Sequence, residues 1–506
     1  MAGFVLSSLV GLLRQMLITI AFGTSAVLDA FYAAERLPNI LFMLVAGGAL
    51  ASAFIPTYTE FLEKDDHSGA WMLASSIVNL VTLVLVLVSL LSCIFARMLV
   101  AKVIAPGFSL EQQLLTVSLL RIMLLTSIIF GISGLVMGVL NAHQSFLLPA
   151  LAPTMYWLGM IFGVLFLAPS LGIHGLAWGA VLGAGLHLGV QLPGLLRLPA
   201  RRYNFSLGLS LPAVRQVGRL MAPRLLGVAV VQLNFLVNVI VATGLPEGSL
   251  SALTVAFQIM TMPQAVIAQA IAIAALPTFS AQVARGELNQ MRSSLANTLR
   301  SIIFLSLPAT LGLIILRQPV LVLLFQRGEF DQRSVQLTSW ALLWYTVGLV
   351  GHSIVEIVSR AFYALQDTKT PVFVGTAAMS LNVLFSFTFP ELFSSLGWMP
   401  LGGLALANSL ATALEMVVLL VLMRRRLDGL DGRYLLLGSY KSLLATAVMS
   451  GILCWWSFTF SSQAAWLTAA GGIIVGGLIY VTLLWLLKVD ELGEAADYIQ
   501  NKIGSK

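Results

Sequence analysis

Stretches of apolar side chains, each long enough to cross a bilayer or nearly so, recur along almost the whole of this 506-residue chain. A transmembrane helix needs about 20 predominantly apolar residues to span roughly 30 Å of hydrocarbon. Fourteen such stretches can be read, at residues 3–22, 31–57, 72–100, 114–140, 148–168, 174–196, 214–244, 250–278, 298–324, 335–363, 370–390, 400–423, 438–458 and 465–487. With 58% of residues hydrophobic and 10% charged, at a mean hydropathy of +0.95, the chain holds more apolar side chain than a water-soluble core can hide. In lipid every backbone polar group must be satisfied within the chain, so the stretches predict helices. The fold class expected is an all-α integral membrane protein of about 14 transmembrane helices. Several stretches exceed 20 residues, which predicts tilt, kinks or interfacial extensions. The first begins near Met1 without a basic flank or a small-residue cleavage site, so it reads as a retained helix and not a signal peptide. A start slightly upstream stays open.

The formal charge of +7 is distributed as a membrane protein distributes it, and nucleic acid is not an expected partner. With the loops numbered from the helix map, those on the side of the N-terminus hold nineteen of the 28 Lys and Arg, and the opposite loops five. The basic residues cluster at Arg197, Arg201, Arg202, Arg215 and Arg219, and again at Arg424, Arg425 and Arg426. Cytoplasmic loops carry the Lys/Arg excess, so both termini are expected in the cytoplasm, which requires an even number of crossings. Cys93 and Cys454 lie inside apolar stretches and form no metal or redox motif.

The chain also repeats itself. The segments APGF and NAHQSFLLP match RGEF and YALQDTKTP at one constant spacing: Phe108 with Phe330, Ala142 with Ala364, Gln144 with Gln366 and Pro149 with Pro371 are each 222 residues apart. Gly175-Leu176-Ala177 matches Gly403-Leu404-Ala405 at 228. Six helices map onto six in the same orientation, a parallel repeat. The expected organisation is an N-lobe at 1–196 (helices 1–6), a cytoplasmic inter-lobe linker at 197–213, a C-lobe at 214–426 (helices 7–12), and helices 13–14 with a cytoplasmic tail at 427–506. A two-lobed bundle places its substrate site where the lobes meet and works by alternating access.

Ionisable groups inside spans are costly and therefore candidates for function. Arg14 is deep in the first helix. Asp29, Glu35 and Arg36 open the second, as headgroup-level anchors, ion pairs or gating residues. Pro38 and Gly47-Gly48 interrupt that helix; Pro263 and Pro277 interrupt the eighth. Glu356 and Arg360 have the i, i+4 spacing of a helical ion pair, whereas Glu415 has no partner at such spacing. His187 and His352 can be packed, hydrogen-bonded or proton-carrying, and Asn238 and Asn382 can ligate a cation or bond between helices. Gly175, Gly179, Gly183 and Gly185 imply close helix packing. No nucleotide loop, zinc motif or sizeable soluble domain is present in the sequence. No catalytic residue, metal ligand or cofactor is expected, and the chain reads as a transporter and not an enzyme.

The segments DAFYAAERLPN, FIPTYTEF, APGF, RGEF and FYALQDTKTP resemble the MurJ/MviN family, the lipid II flippases of peptidoglycan synthesis within the multidrug, oligosaccharidyl-lipid and polysaccharide exporter superfamily. The resemblance implies two six-helix lobes plus two helices forming a lipid-facing groove. It also implies an activity: turning an undecaprenyl-pyrophosphate-linked precursor from the cytoplasmic to the outer leaflet, with arginines on the pyrophosphate. Carried over residue by residue, it assigns Arg14, with Ser7, Asp29, Arg36, Asn39 and Gln258, to the substrate. Asn238, Asn382 (with Ser386 nearby) and Glu356 are the candidates for ion coupling. The chain is a divergent member: where the family places further arginines it has Ser8, Phe42 and Gln258, with Phe257 before Gln258, and Arg36, Arg121 or Arg224 can supply charge instead. The partners implied are a lipid-linked glycan, membrane lipids and cell-wall synthesis enzymes. The location implied is the bacterial cytoplasmic (inner) membrane. An exporter of another lipid-linked oligosaccharide or amphiphile, and a non-transporting scaffold for cell-wall enzymes, are the alternatives.

Overall fold

In a computed structural model the described residues are mostly helical, with no strand among them. The structure describes residues 2–46, 49–199, 201–460, 463–487 and 489, without the side chains of 2–6, 45, 46, 49–52, 223, 224 and 226. Gly47-Gly48, the Arg224 side chain and the tail from 490 onward lie outside that description.

The main helices are α1 (Ala2–Phe22), α2 (Ala26–Ala46), α3 (Ala49–Glu63), α4 (His67–Ile94) and α5 (Leu110–Ala142). Then come α6 (Leu147–Leu171), α7 (Ile173–Leu196), α8 (Pro212–Thr243), α9 (Ser249–Ala284) and α10 (Leu288–Phe325). The last are α11 (Gln332–Val347), α12 (Leu349–Ala364), α13 (Lys369–Ser395), α14 (Leu401–Arg426), α15 (Gly432–Thr459) and α16 (Leu467–Leu486). Among the described residues ten helices are long and apolar enough to cross a membrane, or twelve when each of two bent pairs is one span. The expected fourteen is not reached on that measure.

The chain separates into two compact units, residues 1–251 with 327–331, and residues 252–326 with 332–506. In the first, the glycines of α7 sit directly on α6. A Cβ on Gly179 would lie 2.6 Å from the Gly163 Cα, and one on Gly175 2.5 Å from the Ala168 nitrogen; Gly183 abuts the Tyr156 carbonyl. Gly185 faces open space. Residues 198–199 and 201–211 are not helical and run along α4. Asn79 Nδ2 donates to the carbonyls of Asn204 and Ser206, both at 2.9 Å, and Trp71 Nε1 donates to the Pro199 carbonyl at 3.3 Å.

The repeat recurs in local geometry. α5 begins at Leu110 and ends at Ala142, while α11 begins at Gln332 and α12 ends at Ala364. Both close on a glutamine in the left-handed region, Gln144 at φ 56° and Gln366 at φ 59°. The Ser145 N–H then donates to the Leu140 carbonyl at 2.9 Å and the Asp367 N–H to that of Phe362 at 3.0 Å, the bond that stops a helix in a Schellman turn.

The stretch expected as one helix at 335–363 is instead bent by 43° between α11 and α12. Ser409 of α14 explains the bend: its hydroxyl donates to the carbonyls of Trp344 at 2.7 Å and Tyr345 at 3.2 Å. At the break the Gly348 N–H donates to the Tyr345 carbonyl at 3.0 Å in place of the helical bond to Trp344, and the side-chain donor satisfies the Trp344 carbonyl so freed. Gly348 leaves room, since a Cβ there would sit 2.7 Å from the Ser409 oxygen. In α9, Pro263 precedes a one-turn π-helical segment, Ala265–Gln269, the irregularity expected of a proline within a span.

Candidate functional site

The first unit gathers intramembrane charge on α1 and α2, against neutral partners on α6 and α8. Arg14 projects from α1, two turns after Ser7 and on the same face. Its guanidinium lies over the Trp157 ring of α6, 4.2 Å from the centroid, and its Nη2 donates to Gln15 Oε1 at 3.2 Å. Gln15 in turn donates to the Tyr32 hydroxyl at 2.8 Å. One turn along α2, Arg36 donates through Nη2 to Gln232 Oε1 of α8 at 2.9 Å, with its guanidinium 4.9 Å from the Phe235 centroid. Glu35 lies in the field of both arginines and accepts a hydrogen bond from Asn39.

Two guanidinium groups against one carboxylate leave a net positive charge in the middle of a membrane protein. The buried Nε–H of Arg14 and that of Arg36 have no acceptor. A buried donor without an acceptor costs roughly 1–3 kcal/mol. An anionic oxygen arriving here removes that cost and gains charge-assisted bonds.

Asp29 stands apart from this set. Buried at 2% exposure, its Oδ1 accepts from the Ser251 N–H at 2.7 Å and hydroxyl at 2.5 Å, and its Oδ2 from the Gly248 N–H at 2.7 Å. It therefore caps the first turn of α9, where exposed N–H groups and the helix dipole favour an anion. The neighbouring turns meet closely. Gly248, at φ +86°, abuts the Thr24 carbonyl; Gly23, at φ +60°, abuts that of Glu329; and the Glu329 N–H donates to the Ile20 carbonyl at 2.9 Å.

Phe42, at a position where the resemblance implies arginine, packs on Phe130 at 4.8 Å between centroids, and Phe130 on Tyr156 at 5.0 Å. His187 is a bonded residue of the same region, its Nδ1 2.7 Å from the Ser133 hydroxyl. Arg121 is exposed and donates to the Cys93 carbonyl at 3.3 Å, away from this set. Asn238 donates to Asn234 within α8 at 3.5 Å. In the second unit, Ser386 donates to Asn382 at 3.3 Å, and Arg360 pairs with Glu356 at 2.8 Å. Gln258 is half-buried on α9, and its neighbour Phe257 packs on Tyr345 at 5.3 Å. The second unit also holds an apolar cavity of about 370 Å³ between α10, α15 and α16, lined by Pro308, Gly312, Leu316, Leu453, Gly476 and Tyr480.

Sequence reasoning selected Arg14, Glu35, Arg36 and Asn39 from this cluster and missed Gln15, Tyr32, Trp157 and Gln232 as members. The spacing of Tyr32, Glu35, Arg36 and Asn39 along one face of α2 was the available signal.

A polytopic all-α protein with an arginine-bearing polar cluster held among its apolar helices has the make-up of a membrane transporter. A solved inward-facing MATE family transporter of the MOP superfamily shares the fold at TM-score 0.67 and 16% identity, over 84% of this chain and 96% of that one. The chain belongs to the MurJ family: the family profile described as lipid II flippase MurJ matches residues 18–471. The lipid II flippase MurJ of Burkholderia cenocepacia is 30% identical over 96% of both chains. The probable lipid II flippase MurJ of Vibrio cholerae is 31% identical, over 96% of this chain and 94% of its own. A solved structure of lipid II flippase MurJ in an inward closed conformation matches at TM-score 0.83 and 25% identity, over 97% of this chain and 99% of that one.

Proposed function

We propose that the chain is an alternating-access flippase that carries a lipid-linked cell-wall precursor of lipid II type from the cytoplasmic to the outer leaflet of the bacterial inner membrane. Family membership over most of the chain gives the substrate class. The observation that carries the reading is the cluster of Arg14 and Arg36, each keeping an unpaired buried N–H that a pyrophosphate oxygen can accept. Ser7 and Asn39 flank the two arginines along α1 and α2, and Gln258 is a separate neutral polar candidate on α9. The apolar cavity of the second unit suits part of a polyprenyl chain, since apolar burial stabilises by about 25 cal/mol per Å².

Asp29 serves as a latch in this reading. It holds the start of α9 while the outer end is shut and releases it on opening. Both termini are cytoplasmic, the repeat halves 1–196 and 214–426 are the moving lobes, and fourteen crossings complete the topology. Asn238, Asn382 and Glu356 are candidates for ion coupling, and the basic cytoplasmic loops are the surface on which cell-wall synthesis enzymes dock.

The test is replacement. Expressed in a host depleted of its own lipid II flippase, the chain sustains growth, and Arg14→Ala does not at equal membrane abundance. Absence of growth with the unaltered chain correctly inserted contradicts the reading. A second reading, export of a less anionic lipid-linked oligosaccharide, is favoured by the aromatic packing of Phe42 and Phe257. Lipids copurifying with the protein, identified by native mass spectrometry, separate the two.

A further inference from the structure

The transport reading leaves one intramembrane carboxylate unused. Glu415 lies eleven residues before the end of α14 at Arg426, roughly 16 Å along the helix axis from that end. It is half-buried, and no described residue donates a hydrogen bond to it or pairs with it. Its carboxylate points at α13 where that helix has no side chain: a Cβ on Gly375 would lie 3.2 Å from Glu415 Oε1.

Glu415 belongs to a polar seam. Asn408, Thr412 and Glu415 share one face of α14, at helical spacings of four and three. Across from them, His352, Glu356, Arg360 and Tyr363 share one face of α12. His352 Nε2 lies 3.1 Å from Asn408 Oδ1 and 3.4 Å from the Thr412 hydroxyl, Glu356 pairs with Arg360 at 2.8 Å, and Tyr363 lies in the field of Glu356, Arg360 and Glu415. The remaining charged or titratable groups on the helices packed against α14 are Lys369 and Glu391 on α13, and Arg333 and Tyr345 on α11. Lys369 stands six residues from Gly375, about 9 Å along α13. With Glu356 and Arg360 neutralising one another, the seam keeps one uncompensated carboxylate at mid-span.

An isolated carboxylate in a low-dielectric site is stable only with a cation on it or water around it. A metal cation needs several oxygen ligands in a cage. Gly375 supplies none, the Glu356 carboxylate is occupied by Arg360, and the described residues hold no group of three or more His, Cys, Asp or Glu that could bind a metal. A proton needs only the one carboxylate.

We propose that Glu415 is a proton-binding residue of the second unit, protonated while its site is closed to water and releasing the proton to water when the site opens, with the α12 face of His352 and Glu356 lining its exchange path. The proposal rests on the flippase reading for its role in turnover, but the proton binding itself can be tested without transport.

Infrared difference spectra of the purified full-length protein across a pH titration should show a protonated-carboxyl band that grows on acidification, is missing in Glu415→Gln, and shifts to lower pH in Gly375→Ser, whose hydroxyl would donate to the carboxylate. In proteoliposomes, substrate movement by the unaltered chain should respond to a pH gradient, by up to about tenfold per unit for a one-proton step, and Glu415→Gln should lose that response. A titrating band unchanged in both Glu415→Gln and Gly375→Ser, or an identical pH response with and without Glu415, overturns the proposal. Absence of any transport alongside a Glu415-dependent band counts instead against the flippase reading and leaves proton binding standing.

Discussion

Arg14 and Arg36 are each held by a glutamine and an aromatic ring. A tryptophan face and a glutamine hold the first, while a glutamine and a phenylalanine ring hold the second. Both arrangements orient the guanidinium without neutralising it. Removing one charge-assisted contact from an anionic headgroup costs roughly 1.5–3 kcal/mol, so Arg14→Ala should weaken lipid II binding by roughly 10- to 150-fold, as read by titration of purified protein. Arg14→Lys should recover only part of it, because a lysine lacks the planar fork that stacks on Trp157. Asp29→Asn should loosen the first turn of α9. An amide cannot accept from all three donors, and hydrogen exchange at Gly248 and Ser251 should speed up by roughly tenfold or more. At this scale the sequence exposed the charges, since an arginine or aspartate within an apolar run stands out. It did not expose their holders: Trp157 and Gln232 lie more than a hundred residues from Arg14 and Arg36, on helices whose facing cannot be read from one strand of text. Asp29 was legible as important, but its partners are backbone N–H groups, which no residue type announces.

Helix contacts account for the next level. The α6 and α7 backbones meet through Gly163, Gly175, Gly179 and Gly183, so Gly179→Leu should destabilise by about 1–3 kcal/mol or more, visible as a lower melting temperature in detergent. Gly185→Ala should leave it nearly unchanged, since nothing lies within 4 Å of a Cβ there. At the start of α13, Asp367 accepts from the Thr370 N–H at 3.0 Å and hydroxyl at 2.7 Å. These bonds, the backbone one first, hold its carboxyl below the ordinary carboxylate range. A depressed folded-state value means the contribution is present above the unfolded value near pH 4 and fades as pH falls through the folded one. Asp367→Asn should therefore lower the melting temperature modestly at pH 7 and narrow its difference from the unaltered chain below about pH 4. Glycine spacing made the α6/α7 contact readable, and the pairing of Gln144 with Gln366 anticipated two like turns. The bend at Gly348 was not readable, because its cause is Ser409, a donor sixty-one residues further along.

On the scale of the molecule, hydropathy and the internal repeat were enough to expect an all-helical membrane transporter, because both are properties of long segments and survive the loss of any single position. The number of crossings was less secure. α2 and α3 flank Gly47-Gly48, and α11 and α12 flank the bend, so length and apolarity count them differently from the sequence. The cargo depends on a handful of positions, and among them the chain has Phe42 and Gln258 where the resemblance implies arginines, with Arg14 and Arg36 in its polar cluster. The central claim is that the chain with this arginine cluster moves a pyrophosphate-linked precursor across the membrane. The most direct measurement is reconstitution of the purified chain in liposomes carrying labelled lipid II in one leaflet, following its arrival in the other. The account predicts protein-dependent movement that Arg14→Ala and Arg36→Ala each reduce. Lipid II that stays in its leaflet, while a neutral lipid-linked glycan crosses in the same vesicles, would contradict it.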